Sequence, residues 1–143
     1  MQYDLSRFTK AQERDYLKAL AEIRAGHKQS HWIWYIFPQL RELCRSDTAK
    51  YYGIADLGEA KAYLANDTLR QHLIEISGAL LDLKETDITA IMGFPDDLKL
   101  RSCMTLFHMA DAKSDVFLKV LDKYFDGKPD AKTLEILQRR KKN

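Results

Sequence analysis

Apolar residues recur at intervals of three and four along almost the whole of this chain, and two-residue alternation is nearly absent. That spacing fits one face of an α-helix, where positions i, i+3 and i+4 lie on the same side of the rod; a half-buried strand needs period two. Val116, Phe117, Val120, Leu121, Tyr124 and Phe125 form the cleanest stripe. Tyr16, Leu17, Leu20 and Ile23 form another, on a helix expected from about residue 14 to 25 and closed by Gly26. Asp56 suits the N-cap of a helix through Ala60, Tyr63 and Leu64, and Asp67 or Thr68 that of a longer one carrying Leu69, Leu73, Ile76, Leu80 and Leu83. Asp87 to Met92 reads as a short helix ended by Gly93. Pro95-Asp96 opens another to about Ala110, since proline is tolerated at a helix start. Ser114 is the expected cap of the Val116 stripe, and a final helix holds Leu134, Ile136 and Leu137. The fold class is therefore all-α: one compact domain over residues 1–138, of about seven or eight helices of mixed length, followed by a basic C-terminal tail over 139–143. A chain of 143 residues can bury roughly two-thirds of its unfolded surface in one such core.

Residues 30–53 resist the helical pattern. Ser30–Leu40 holds both tryptophans, Tyr35, Phe37, His31 and Pro38, with rings pointing in every helical direction. A turn or two of helix is expected at Ser30–Phe37, then an irregular passage, then a short helix near Asp47–Tyr52. Such a density of rings is either the floor of a core or the wall of a pocket. Irregular backbone that is tightly packed often carries function.

The totals exclude several classes. The net charge is +2, and 19 basic groups face 21 acidic ones before Arg139, so the body is slightly acidic. That argues against a duplex-binding surface, which needs clustered phosphate contacts. The N-terminus lacks a signal peptide and no run reaches the length of a membrane span, so a cytoplasmic protein is expected. Cys44 and Cys103 show no metal-ligand spacing and are expected reduced; the histidines show no H-x-x-E-H. No metal is expected, and no glycine-rich motif implies a cofactor.

A second window, Pro95 to His108, carries chemistry-bearing residues. Asp97, Arg101, Thr105 and His108 fall on one polar line of a helix, and Lys99 and Ser102 form a second pair. The structural account is an Asp97–Arg101 ion pair with a hydrogen bond from Thr105. The functional account places Lys99, Arg101 and Ser102 near a helix N-terminus, where amides and the dipole favour an anion. His31, beside tryptophan, is the catalytic candidate, with Ser102 second, although a satisfied core histidine is the ordinary alternative. Tyr51 and Tyr52, following Arg41 and Arg45, either stack a base or sugar ring or pack a helix end on the core.

Three strings in this order, S-H-W-x-W-x-I-F-P-Q-L at Ser30–Leu40, Y-Y-G-I at Tyr51–Ile54 and P-D-D-L-K-L-R-S-x-M-T-L-F at Pro95–Phe107, resemble an uncharacterised bacterial family catalogued as domain of unknown function 1810. The resemblance runs from Asp4 to Glu135 and implies an all-helical single domain without an established activity. Some members carry a calpastatin-like label; a compact helical domain argues against calpain inhibition here. Position 103 is cysteine in this chain where the family pattern has serine.

The leading expectation is a site for an anionic small molecule, phosphorylated or nucleotide-like, between segment 30–40 and helix 96–108. Trp32, Trp34 and Tyr52 would wall it, Lys99 and Arg101 hold the anion, and His31, Gln39, Ser102 and Thr105 orient it or move protons. Whether catalysis follows is open. The alternative is a protein or peptide interaction module using exposed Trp32, Trp34 and Tyr35. Nucleic-acid binding ranks third, and the same residues can also serve as a polar-satisfied core.

Overall fold

Helix α1 (Ser6–Arg24) starts well before the expected residue 14, because polar Gln12 belongs to its buried face together with Phe8, Ala11, Tyr16, Ala19, Leu20 and Ile23. Leu17 falls off that face and is 80% exposed, which corrects its place in the stripe. The computed structural model describes residues 3–141. A single turn, α2 (Ile33–Ile36), a 3-10 turn (Arg41–Leu43) and α3 (Asp47–Tyr52) make up the aromatic segment. Then follow α4 (Leu57–Ala65), α5 (Asp67–Leu81), α6 (Ile88–Met92), α7 (Asp96–Ala110), α8 (Val116–Phe125) and α9 (Ala131–Lys141). The domain is all-α as expected, with nine α-helices among the described residues once the single turn of α2 is included.

Side-chain caps mark several of the helix starts. The carboxylate of Asp56 accepts from the Glu59 amide at 2.8 Å, and that of Asp87 from the Thr89 amide at 3.0 Å. The cap of α5 is Asn66, one residue before the expected Asp67, accepting from the Leu69 amide at 3.0 Å. Ser114 does not cap α8; its hydroxyl donates to Asp111 at 2.9 Å. Gly93 ends α6 at φ 81°, a conformation that costs glycine nothing.

Helix α7 is the axis of the core. Leu100, Cys103, Met104, Leu106 and Phe107 are completely buried, and α2, α4, α6, α8 and α9 all pack on it. Helix α5 bridges α1 and α8. Its C-terminal carbonyls, which have no intrahelical partner, accept from Lys123 Nζ at Leu80 (3.2 Å) and Leu81 (3.0 Å). Helix α9 runs on through Arg139 and Arg140 where a tail was expected. Arg139 pairs with Glu42, and Arg140 donates to the Ala55 carbonyl. Lys142 and Asn143, the rest of that expected tail, lie outside the described residues. No helix among the described residues is long and apolar enough to cross a membrane.

The aromatic segment is closed by an isolated parallel bridge between Leu40 and Ile54. The Arg41 amide donates to the Ile54 carbonyl and the Ile54 amide to the Gln39 carbonyl, both at 2.8 Å. Gly53 makes this approach possible, since a Cβ there would lie 2.5 Å from Arg41 Cα. The neighbour is backbone and cannot rotate aside. Gly53→Ala is therefore expected to destabilise the domain by about 1–3 kcal/mol, the usual range for overpacking. An unchanged midpoint in urea unfolding would show that the two strands of chain separate freely.

Candidate functional site

The chain between α1 and α2 is non-helical, and one carboxylate holds it. Glu22 accepts from the amides of Gln29 (2.7 Å) and Ser30 (2.9 Å), from the Ser30 hydroxyl (2.6 Å) and from the Trp32 indole N–H (2.9 Å). Burial alone would push this carboxyl up, but the donors outweigh it and hold it down at about 2. The indole N–H, costly to bury unpaired, is satisfied, so Trp32 enters the core at 1% exposure. Lys28 secures the opposite side. Its amide donates to the Ile91 carbonyl at 2.8 Å, and its ammonium, 4.9 Å from the centre of the Trp32 ring, pairs with Asp96 at 2.8 Å. Helix α1, the loop and the N-terminus of α7 are thereby joined.

This framework sets a crevice between α2, the 39–44 passage, α3 and the first turn of α7. Trp34, Gln39, Cys44, Tyr52 and Lys99 line it, with Ile33, Phe37, Ala49 and Gly53. Its free volume is about 10 Å³, room for about one water molecule. Gln39 Nε2 donates to Cys44 Sγ at 3.8 Å, and Lys99 Nζ lies 5.9 Å from the centre of the Trp34 ring. Burial pushes the Cys44 thiol up, against the opposing charges of Lys99, Arg41 and Lys50. Of these three cations only Lys99 lines the space. Glu42, the nearby acid in the sequence, is drawn off by Arg139 and Arg140.

Four of the residues expected in a site therefore meet: Trp34, Gln39, Tyr52 and Lys99. The other five do not line the crevice. His31 is exposed in the turn before α2, and Trp32 is core. Ser102 is buried and donates to the Leu98 carbonyl at 3.2 Å. Arg101 donates to the Lys128 carbonyl at 2.9 Å and lies 5.7 Å from the Phe125 ring. Thr105 donates to the Arg101 carbonyl (2.8 Å) and accepts from the Asp130 amide (2.8 Å), steadying the start of α9. Residues two apart on a helix diverge by about 200°, so Lys99 and Arg101 cannot face the same neighbour. The expected Asp97–Arg101 pair also fails to form, because Asp97 accepts from the Thr89 hydroxyl at 2.6 Å. His27 and His31 stand four apart, a spacing that joins two imidazoles on a helix, but they lie in a non-helical turn. Among the described residues no three metal-ligating side chains come together.

A family model described as "Protein of unknown function (DUF1810)" matches residues 2–137. The chain belongs to this family. A solved structure, that of the conserved hypothetical protein Rv1873 from Mycobacterium tuberculosis, is similar to it at 44% identity and a TM-score of 0.93, over 95% of this chain and 97% of that one. No curated protein matches the chain. The family resemblance read from the three strings thus stands, and so does the all-helical domain it implied.

The string residues of the family divide by role in the structure. Ser30 and Trp32 serve the Glu22 network, Gly53 the backbone bridge, and Trp34, Gln39, Tyr52 and Lys99 the crevice. Reasoning from sequence passed over Glu22, Lys28 and Cys44. Nothing in their spacing marked them, since each acts through a partner distant in helical register.

Acid should expose the weight of the Glu22 network. A carboxyl held below its ordinary 4.5 contributes stability that is complete above that value and is lost as pH falls through about 2. The melting temperature is expected to drop over this window. Glu22→Gln should cost about 2 kcal/mol at neutral pH, by weakening charge-assisted hydrogen bonds, and remove this part of the acid dependence. Equal acid profiles for the two proteins would assign the loss to other carboxylates.

Proposed function

We propose that the protein binds a small anionic ligand, phosphorylated or nucleotide-like, at the crevice where Trp34, Gln39 and Tyr52 meet Lys99. The observation that carries this reading is the charge count around Asp96. Asp96 is held by Lys28 at 2.8 Å and by Lys99 only at 3.5 Å. Two cations therefore share one carboxylate, and Lys99 can turn to a ligand while Asp96 keeps its closer partner. Arg41 and Lys50 add positive potential at Cys44 on the crevice wall. Aromatic walls beside a partly buried cation suit a ring attached to a phosphate.

Size sets how such a ligand sits. A space for one water does not admit a phosphate, so the anionic group rests at the mouth against Lys99 while its ring lies on Trp34 and Tyr52. Deeper entry needs α3 to move outward, and α3 packs chiefly against α2 and the 3-10 turn. The interaction-module reading finds less support, because Trp32 and Tyr35 are buried.

A thermal-shift series against inorganic phosphate, nucleotides and sugar phosphates tests the proposal. A ligand at a hundredfold excess over its Kd adds about 2.7 kcal/mol, a rise of several degrees in a domain of this size. Lys99→Ala should abolish that rise, whereas Arg101→Ala and His31→Gln should keep it. A panel without any rise, or a rise that survives Lys99→Ala, would favour a purely structural role for the crevice.

A further inference from the structure

A groove between α1 and α5 is built around a histidine whose ring nitrogens have distinct, fixed roles. Gln12, only 2% exposed, donates both amide hydrogens of Nε2, one to the Tyr35 carbonyl and one to the Tyr63 hydroxyl, each at 2.8 Å. A backbone carbonyl only accepts, so the orientation of the Gln12 amide is settled and its Oε1 is an acceptor. That oxygen lies 2.8 Å from His72 Nδ1, which must therefore carry the proton. Neutral His72 then presents a bare lone pair at Nε2. Among the described residues Nε2 has no hydrogen-bond partner, and it is not sealed from solvent.

The surroundings of Nε2 are shaped and polarised. The His72 ring stacks on Tyr16 with centres 3.6 Å apart and planes within 8°. The Tyr16 hydroxyl in turn donates to Glu75 at 2.5 Å. Tyr16, His72 and Glu75, with Glu13, Leu17 and Gln71, enclose about 670 Å³ of open groove. Two lining side chains are carboxylates, and no lysine or arginine lines the groove. Arg24 lies 3.9 Å from Glu75 in an exposed pair, which contributes little and yields to a competitor. Leu17, the stray residue of the α1 stripe, offers an apolar surface at 80% exposure.

We propose that this groove is a second binding site, for an alkyl guanidinium or alkylammonium group, which donates to His72 Nε2 between Glu13 and Glu75 and lays its carbon stem on Leu17. The acceptor, the paired carboxylates and the absence of lining cations all select a hydrogen-bond-donating cation. The same lining rejects a phosphate. The site is independent of the Lys99 crevice, which selects the opposite charge.

The test is an NMR titration of histidine-labelled protein with agmatine, which carries a guanidinium and an ammonium on one alkyl stem. A saturable shift of the His72 ring signals is expected. The double variant Glu13→Gln/Glu75→Gln should bind about tenfold more weakly, as loss of two exposed charge contacts implies. Its melting temperature should hold, because glutamine still accepts from the Tyr16 hydroxyl. N-acetyl-arginine amide presents the same group as a peptide would: tighter binding of this probe points to a protein side chain as the natural occupant, and tighter binding of agmatine to a free amine. The absence of a saturable shift, equal affinity in the double variant, or an equal response to inorganic phosphate would each overturn the assignment.

Discussion

The Glu22 carboxylate is the fixed point on which the rest of the molecule's irregular part depends. A loop of eight non-helical residues would ordinarily leave its amides to water. Here three donors of the loop and the Trp32 indole converge on one anion at the end of α1. The indole can then be buried without an orphaned N–H, and with Trp32 seated the short α2 follows in only one orientation. That orientation turns Trp34 toward the crevice and Tyr35 toward α1. The hydroxyl of Tyr35 donates to Asp15, and its carbonyl accepts from Gln12.

Lys28 extends the same constraint to α7. A buried ammonium is costly unless paired, and Asp96 at the head of α7 supplies the pairing. This contact sets the height at which the first turn of α7 meets α2, and with it the position of Lys99. The crevice is therefore a by-product of loop closure: its cation, its aromatic walls and its narrowness all follow from where the Glu22 and Lys28 networks lock the chain.

Charge is segregated around this scaffold. Lys99, Arg41 and Lys50 act on the crevice side, whereas Glu13 and Glu75 face the α1–α5 groove. A net charge near zero conceals this division, since it averages two local fields of opposite sign. Gln12 binds the carbonyl of Tyr35, the residue after Trp34, and the ring of His72 in the groove. It explains why a polar residue sits at the centre of an otherwise apolar helix face.

The sequence by itself determined the helical class, most helix ends and the two windows from which the crevice is built. These are local properties: apolar period, caps within three residues, proline at a helix start. It misjudged α1 because a buried Gln12 looks like solvent face and an exposed Leu17 looks like core. Helical register alone was enough to separate Lys99 from Arg101, two residues apart, yet which of them meets the aromatic segment was decided by the packing of α7. Tertiary structure likewise decided that Ser102 and Thr105 serve the helices, that His31 stays in solvent, and that Glu22 and Lys28 anchor the loop. The physical reason is range. Periodicity reports only which side of a helix a residue occupies, whereas a site depends on what another segment, tens of residues away, brings against that side.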